Sequence, residues 1–202
     1  MIHGINSCAS LLNSEHSDIN VSSGAMDGTE DDTFTEFRLE LDSHANMPVV
    51  GSGAYILAHS GKTVDVSAYN PDYESMKIPV VDAALQYDNL FDGKTYILVI
   101  RNALYVPSMD NHLIPPFIMR EAGIMVNDTP KIQLVDPDVT SHSINFAESD
   151  LRIPLSLWGV FSYLPTIKPS AKMLNECEEV YMLTPSRWNP HNHAYASNEK
   201  AC

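Results

Sequence analysis

Phe37-Arg38-Leu39-Glu40-Leu41-Asp42-Ser43-His44-Ala45 decides how this chain is read. Phe37, Leu39 and Leu41 alternate with Arg38 and Glu40, the period of a strand that turns one face to a core. Asp42 and Ser43 then open a polar turn, because both side chains hydrogen-bond nearby backbone. Asp42 therefore stands where an anchored element passes into a loop, a place suited to a carboxylate whose position must be fixed. An Asp-Ser pair at a strand end is also what an ordinary turn recruits. The surrounding segments decide between the two readings.

Outward from this stretch, the chain from Phe34 to about Asn127 reads as short β-type segments separated by turns. Met47–Val50 and Ala54–Ala58 flank Gly51-Ser52-Gly53, which reads as a turn; the Gly-x-Ser-x-Gly spacing of a nucleophile elbow is absent. Thr63–Tyr69 alternates until Asn70-Pro71-Asp72 breaks it. Lys77–Tyr87 and Thr95–Ile100 flank Asp92-Gly93, a strong hairpin signal. Leu104-Tyr105-Val106 stops at Pro107. Phe117–Ala122 reads as a short helix, with Pro115 and Pro116 at its start and Gly123 as its stop. The expectation is a predominantly antiparallel β unit with one short helix.

Residues 128–202 form an irregular α+β extension. Ile153, Leu155, Leu157 and Val160-Phe161 look strand-like, Ser170 caps a helix over Ala171–Glu179, and Val180–Leu183 is a further strand. Residues 1–33 are rich in Ser, Asn, Asp and Gly, with an acidic cluster at Glu30-Asp31-Asp32, and read as a disordered tail. The expected division is thus 1–33, 34–127 and 128–202.

At 202 residues the chain holds one ordinary domain or a small one with appendages. A net charge of −14 and an isoelectric point near 4.7 repel phosphates, so neither nucleic acid nor an anionic membrane is an expected partner. No apolar run approaches the ~18 residues of a membrane span, and the first residues lack the basic flank and apolar run of a signal peptide. Cys8, Cys177 and Cys202 are too few and too scattered for a disulfide framework or thiolate zinc site. A cytoplasmic, reducing setting is expected. His191-Asn192-His193 lacks the further ligands that zinc requires. Cys177, between Glu176 and Glu178, sits where negative charge discourages a thiolate. No metal or cofactor is expected.

Three motifs occur in a telling order: LDSHAN at Leu41–Asn46, RNALYVP at Arg101–Pro107 and NHLIPPFIMREAGI at Asn111–Ile124. Together they resemble the protease portion of copia-type retrotransposon Gag-Pol polyproteins. DLRIPLSLWGVFSYLP at Asp150–Pro165 and WNPH at Trp188–His191 resemble the connector downstream of that protease in some such elements. The resemblance implies a retroviral-type acid-protease half-barrel and an aspartic endopeptidase that cuts its own polyprotein, in the cytoplasm or within virus-like particles. Asp42 matches the catalytic residue, and Ser43 the hydroxyl residue that ties two active-site loops together. His44 stands where the family usually has Gly, a departure expected to strain the backbone there; Ala45 completes the loop. Leu113-Ile114 match the apolar pair before the family's helix, and the substrate-covering flap would lie around Asn70–Met76.

Peptide hydrolysis by carboxylates needs two of them, close enough to share one proton, so that one acts as base and the other as acid. This chain has one Asp-Ser in the required setting; Asp128-Thr129 runs into Pro130 with no apolar strand before it. The expected enzyme is therefore a homodimer with one Asp42 from each subunit. The rival readings are a catalytically inactive polyprotein fragment, a structural spacer and a dimeric binding module.

Overall fold

The computed structural model describes residues 35–67 and 74–189. The expected tail 1–33 lies outside them, as does most of the expected flap. Among the described residues the chain is mainly β. β1 (Phe37–Leu41), β2 (Val49–Val50), β3 (Tyr55–Val66), β4 (Met76–Asn89), β5 (Lys94–Tyr105) and β6 (His112–Ile114) lead to helix α1 (Pro116–Glu121). β7 (Ile124–Asn127), β8 (Ser143–Phe146), β9 (Arg152–Pro154), β10 (Ser156–Trp158) and β11 (Phe161–Thr166) follow, then helix α2 (Ala171–Glu176) and β12 (Val180–Met182). No helix among these residues is long and apolar enough to cross a membrane.

β1 forms where alternation placed it, with Leu39 and Leu41 buried. The β4–β5 hairpin turns at Asp92-Gly93, and Gly93 takes the left-handed φ of 70° that glycine adopts freely. Both strands bury both faces. Leu85, Leu98 and Ile100 enter the main core, while Ala84, Ile97 and Val99 pack under Leu174 of α2. That double burial explains their long apolar runs. α1 starts at Pro116 and gives way at Gly123. The Ser170 hydroxyl accepts the Met173 amide at 3.1 Å and caps α2. This helix stops at Glu176, short of the expected Glu179, because the Glu179 carbonyl accepts the Ile97 amide and starts β12 along β5.

Among the described residues nine strands make one mixed sheet, in the order β10-β11-β1-β6-β2-β5-β4-β3, with β12 also beside β5. Most pairings are antiparallel, as expected, including the long ones of β3 with β4 and β4 with β5, but β1 with β6, β2 with β5 and β12 with β5 are parallel and make the sheet mixed. Parallel neighbours require long connections and leave no local hairpin signal. The two strands expected at Ala54–Ala58 and Thr63–Tyr69 merge, as far as the described residues go, into one strand, β3, with irregularities between Ile56 and Ala58 and between His59 and Thr63; residues 68–69 lie outside the described residues. Gln86 and Ile167 exchange both backbone hydrogen bonds at 2.9 Å, which closes the path from β11 through β1, β6, β2 and β5 to β4 into a ring.

Residues after 128 share this framework: β11 pairs with β1 and β12 with β5. The antiparallel sheet β7-β8-β9 joins the same core through Ile124, Ile144 and Ile153. His142, at φ 52°, locks its imidazole Nε2 to the Ser162 hydroxyl at 2.9 Å and so ties the turn before β8 to β11.

Candidate active site

β1 delivers Asp42 to its C-terminal end, and β6 holds it there. Leu39 pairs with His112 and Leu41 with Ile114, and the register ends with the Asp42 amide donating to the Ile114 carbonyl at 3.0 Å. The other edge of β6 pairs with β2 through Leu113 and Val49. A strand from some 70 residues downstream thus lies between the two strands that flank the Asp42–Pro48 loop. The outer face of β1 is tied to the same segment: Asn111 Nδ2 donates to Glu40 Oε1 at 3.1 Å.

Within the loop, the His44 amide donates to Asp42 Oδ1 at 2.8 Å. This is the Asx turn that Asp forms with the residue two positions on. The Asp42 side chain keeps 35% of its surface exposed, so one oxygen is engaged by backbone and the group still reaches solvent. Ser43 and His44 are exposed, and Met47 is buried as the loop's anchor. Ser43 Oγ stands 3.4 Å from His44 Nδ1, and that nitrogen is 3.9 Å from Asp42 Oδ1. The arrangement presents one carboxylate, one hydroxyl and one imidazole on a short, backbone-braced turn.

His44 requires a correction. The non-glycine residues at positive φ among those described are Asn102 and His142. His44 is therefore in an ordinary backbone region, and the strain expected from a side chain at a glycine position is absent. Asp42, Ser43, His44 and Ala45 are brought together as one loop. Cys177 is partly buried with its thiol directed at the Thr95 carbonyl, 3.4 Å away, a packing role. His191, His193, Cys8 and Cys202 lie outside the described residues. Among the described residues no group of three or more His, Cys, Asp or Glu could hold a metal ion.

Gly51 and His112 complete the support, and neither was singled out by spacing. His112 is fully buried on β6, and its Nδ1 accepts the Gly51 amide at 3.0 Å. Nδ1 must keep its lone pair for that bond, so the ring proton sits on Nε2. Burial pushes the imidazole down to about 4. Gly51 is required for space: a Cβ there would stand 2.1 Å from the Met109 carbonyl oxygen, a backbone atom that cannot swing away. Gly51→Ala should destabilise the fold by about 2–3 kcal/mol, read as a lower urea midpoint with an unchanged slope. Ser52→Ala, which loses only a long 3.3 Å contact to the same carbonyl, should move it by less than about 1 kcal/mol. Equal midpoints for the two variants would remove the crowding argument. The one available signal was the polar His112 inside an otherwise apolar strand.

Comparison of the chain with protein-family models, curated proteins and solved structures finds no match.

Proposed function

We propose that this chain is one subunit of a retroviral-type aspartic endopeptidase from a copia-type retrotransposon polyprotein, with its site completed by Asp42 of a second copy. The observation that carries the reading is β6 lying between β1 and β2 with its Ile114 carbonyl on the Asp42 amide. An acidic residue at an ordinary turn needs no such clamp. One that must meet its symmetry mate to within a fraction of an ångström does. The motif order supports the same reading, because Leu113-Ile114 and α1 follow Asp42 in space as the resemblance requires.

In the proposed mechanism the two carboxylates share one proton. The ionised one takes a proton from water as it attacks the peptide carbonyl, and the protonated one donates to the departing amine. Ser43, exposed beside Asp42, is free to engage the partner loop. The substrate is an extended, apolar-rich stretch of the element's own polyprotein, bound as an added strand. No metal or cofactor enters these steps.

The test is dilution. Turnover per mole of chain on an unfolded, apolar-rich protein should fall steeply as the chain is diluted, in step with loss of dimer by sedimentation. Undiminished turnover from a monomeric species would rule out the shared site. No cleavage from a dimer at any pH would favour the inactive spacer or binding module instead.

A further inference from the structure

The β10–β11 hairpin displays four large apolar side chains in five residues around Gly159. Leu157 is 37% exposed, Trp158 62%, Val160 84% and Phe161 53%. Gly159, at φ 58°, makes the turn between the strands. The pairing fixes where this patch sits. Glu40 of β1 lies opposite Tyr163 of β11, and Phe161 lies opposite Trp158 of β10. Carried two residues further, the β1–β11 register brings Phe161 level with Asp42. Leu39, Leu41, Ser162 and Leu164 are buried, so alternation puts Asp42 and Phe161 together on the opposite side of the sheet. The Arg38 guanidinium lies 5.0 Å from the centre of the Trp158 ring and 5.7 Å from that of Tyr163. It steadies the indole while leaving most of it open. β10 is also an end strand of the sheet, with one row of backbone groups open to pairing.

We infer that this hairpin is a self-association surface, on which Trp158, Val160 and Phe161 seat against a second copy of this chain at the end of the sheet that carries Asp42; Leu157, opposite the buried Ser162, faces the other side. The inference rests on the reading of Asp42 as half of a two-copy site, since that reading brings the Asp42 ends of two chains together. The area fits a weak, reversible contact between two copies, made at the same end of the sheet as the Asp42 loops. At these exposures Trp158, Val160 and Phe161 offer roughly 300–500 Å², taking about 150–250 Å² for a large apolar side chain. Two copies together bury roughly 600–1,000 Å², the size of a weak, reversible contact and short of the ~1,200 Å² at which stable specific interfaces begin. The Asp42 loops meeting at a two-fold axis supply the remainder. Charge points the same way: two chains of −14 repel, so the contact must be apolar, and added salt should strengthen it.

Sedimentation velocity of the full chain from about 1 to 100 µM, a range that brackets micromolar dimers, tests this. The parent should shift from monomer to dimer with concentration, more readily at high salt. Trp158→Ser combined with Val160→Asp, both at exposed positions, should weaken the dimer at least tenfold. Leu90→Ser, on the exposed β4–β5 turn, is the control and should change nothing. Association equal to the parent's in the hairpin variant, or a parent that stays monomeric while that variant only raises KM for a peptide, would overturn the inference. Asp42→Asn separates the two readings, because it should dimerise like the parent. A parent that dimerises through the hairpin but cleaves nothing supports the surface and removes the protease. A parent that cleaves while the hairpin variant dimerises normally does the reverse.

Discussion

Asp42→Asn should abolish peptide cleavage, lowering turnover at least roughly a thousandfold, while the fold stays almost unchanged. The amide keeps an oxygen where Oδ1 now accepts the His44 amide, and the Asp42 backbone bond to Ile114 does not involve the side chain. Unfolding free energy should therefore move by less than about 1 kcal/mol. The chemistry is lost because an amide can neither hold the shared proton nor take one from water. An excess of the Asn variant should also suppress the parent by drawing it into mixed dimers. Retained turnover by the purified Asn variant, checked by mass spectrometry of the cleaved peptides, would end the aspartic-protease reading.

The second large effect concerns pH and the strand behind the site. His112 titrates at about 4 in the fold and at about 6.5 in an unfolded chain. Between those values the unfolded chain binds a proton that the folded one refuses. The stability due to neutral His112 is thus fully present above about pH 6.5 and drains as pH falls toward 4. At 1.36 kcal/mol per unit the loss reaches about 3 kcal/mol. His142, which burial first and Lys131 second also push down, adds a loss of the same sign. His112→Asn keeps an oxygen able to accept the Gly51 amide but cannot titrate. It should be less stable than the parent at pH 7.5, and the gap should narrow by about 3 kcal/mol by pH 4. Urea unfolding across that range decides the matter; parallel pH slopes for the two proteins would exclude His112 as the source.

These effects meet in the activity profile. A dyad that works while holding one proton loses activity as pH rises, and acidification also relieves the repulsion between two chains of charge −14. Both favour the acid side of neutrality. The buried imidazole that braces β6 opposes them there, because its protonation loosens the strand holding Asp42. The proposed optimum therefore lies below neutrality, with an acid limb set by unfolding. Softening His112 should reshape that limb before it touches the alkaline one.

Several elements were legible because their causes are local. β1 needed only the alternation of Phe37, Leu39 and Leu41; the β4–β5 turn needed Asp92-Gly93; α1 needed Pro116 and Gly123; the start of α2 needed Ser170. Each is set by interactions spanning a few residues, and the amino-acid types alone favour them. The Asp42 loop belongs here too, since its Asx turn closes over two residues.

The tertiary structure alone decided the rest. Nothing local in His112-Leu113-Ile114 says that it lies between β1 and β2, that Val180–Met182 runs parallel to β5, or that Ile167 closes the ring on Gln86. Such pairings are chosen by which arrangement buries the most apolar surface across the whole chain. His44 was read as strained from its place in a motif, yet the loop's actual path gives it an ordinary backbone angle. Gly51-Ser52-Gly53 was read as a turn, and the Ala54 amide closes it on the Gly51 carbonyl at 3.2 Å; what no local signal gave is the space Gly51 leaves against Met109, a neighbour fixed by distant pairing. Alternation and turn chemistry placed the carboxylate at the end of a strand. The strand that holds it there comes from far along the chain, and only the packed core could bring the two together.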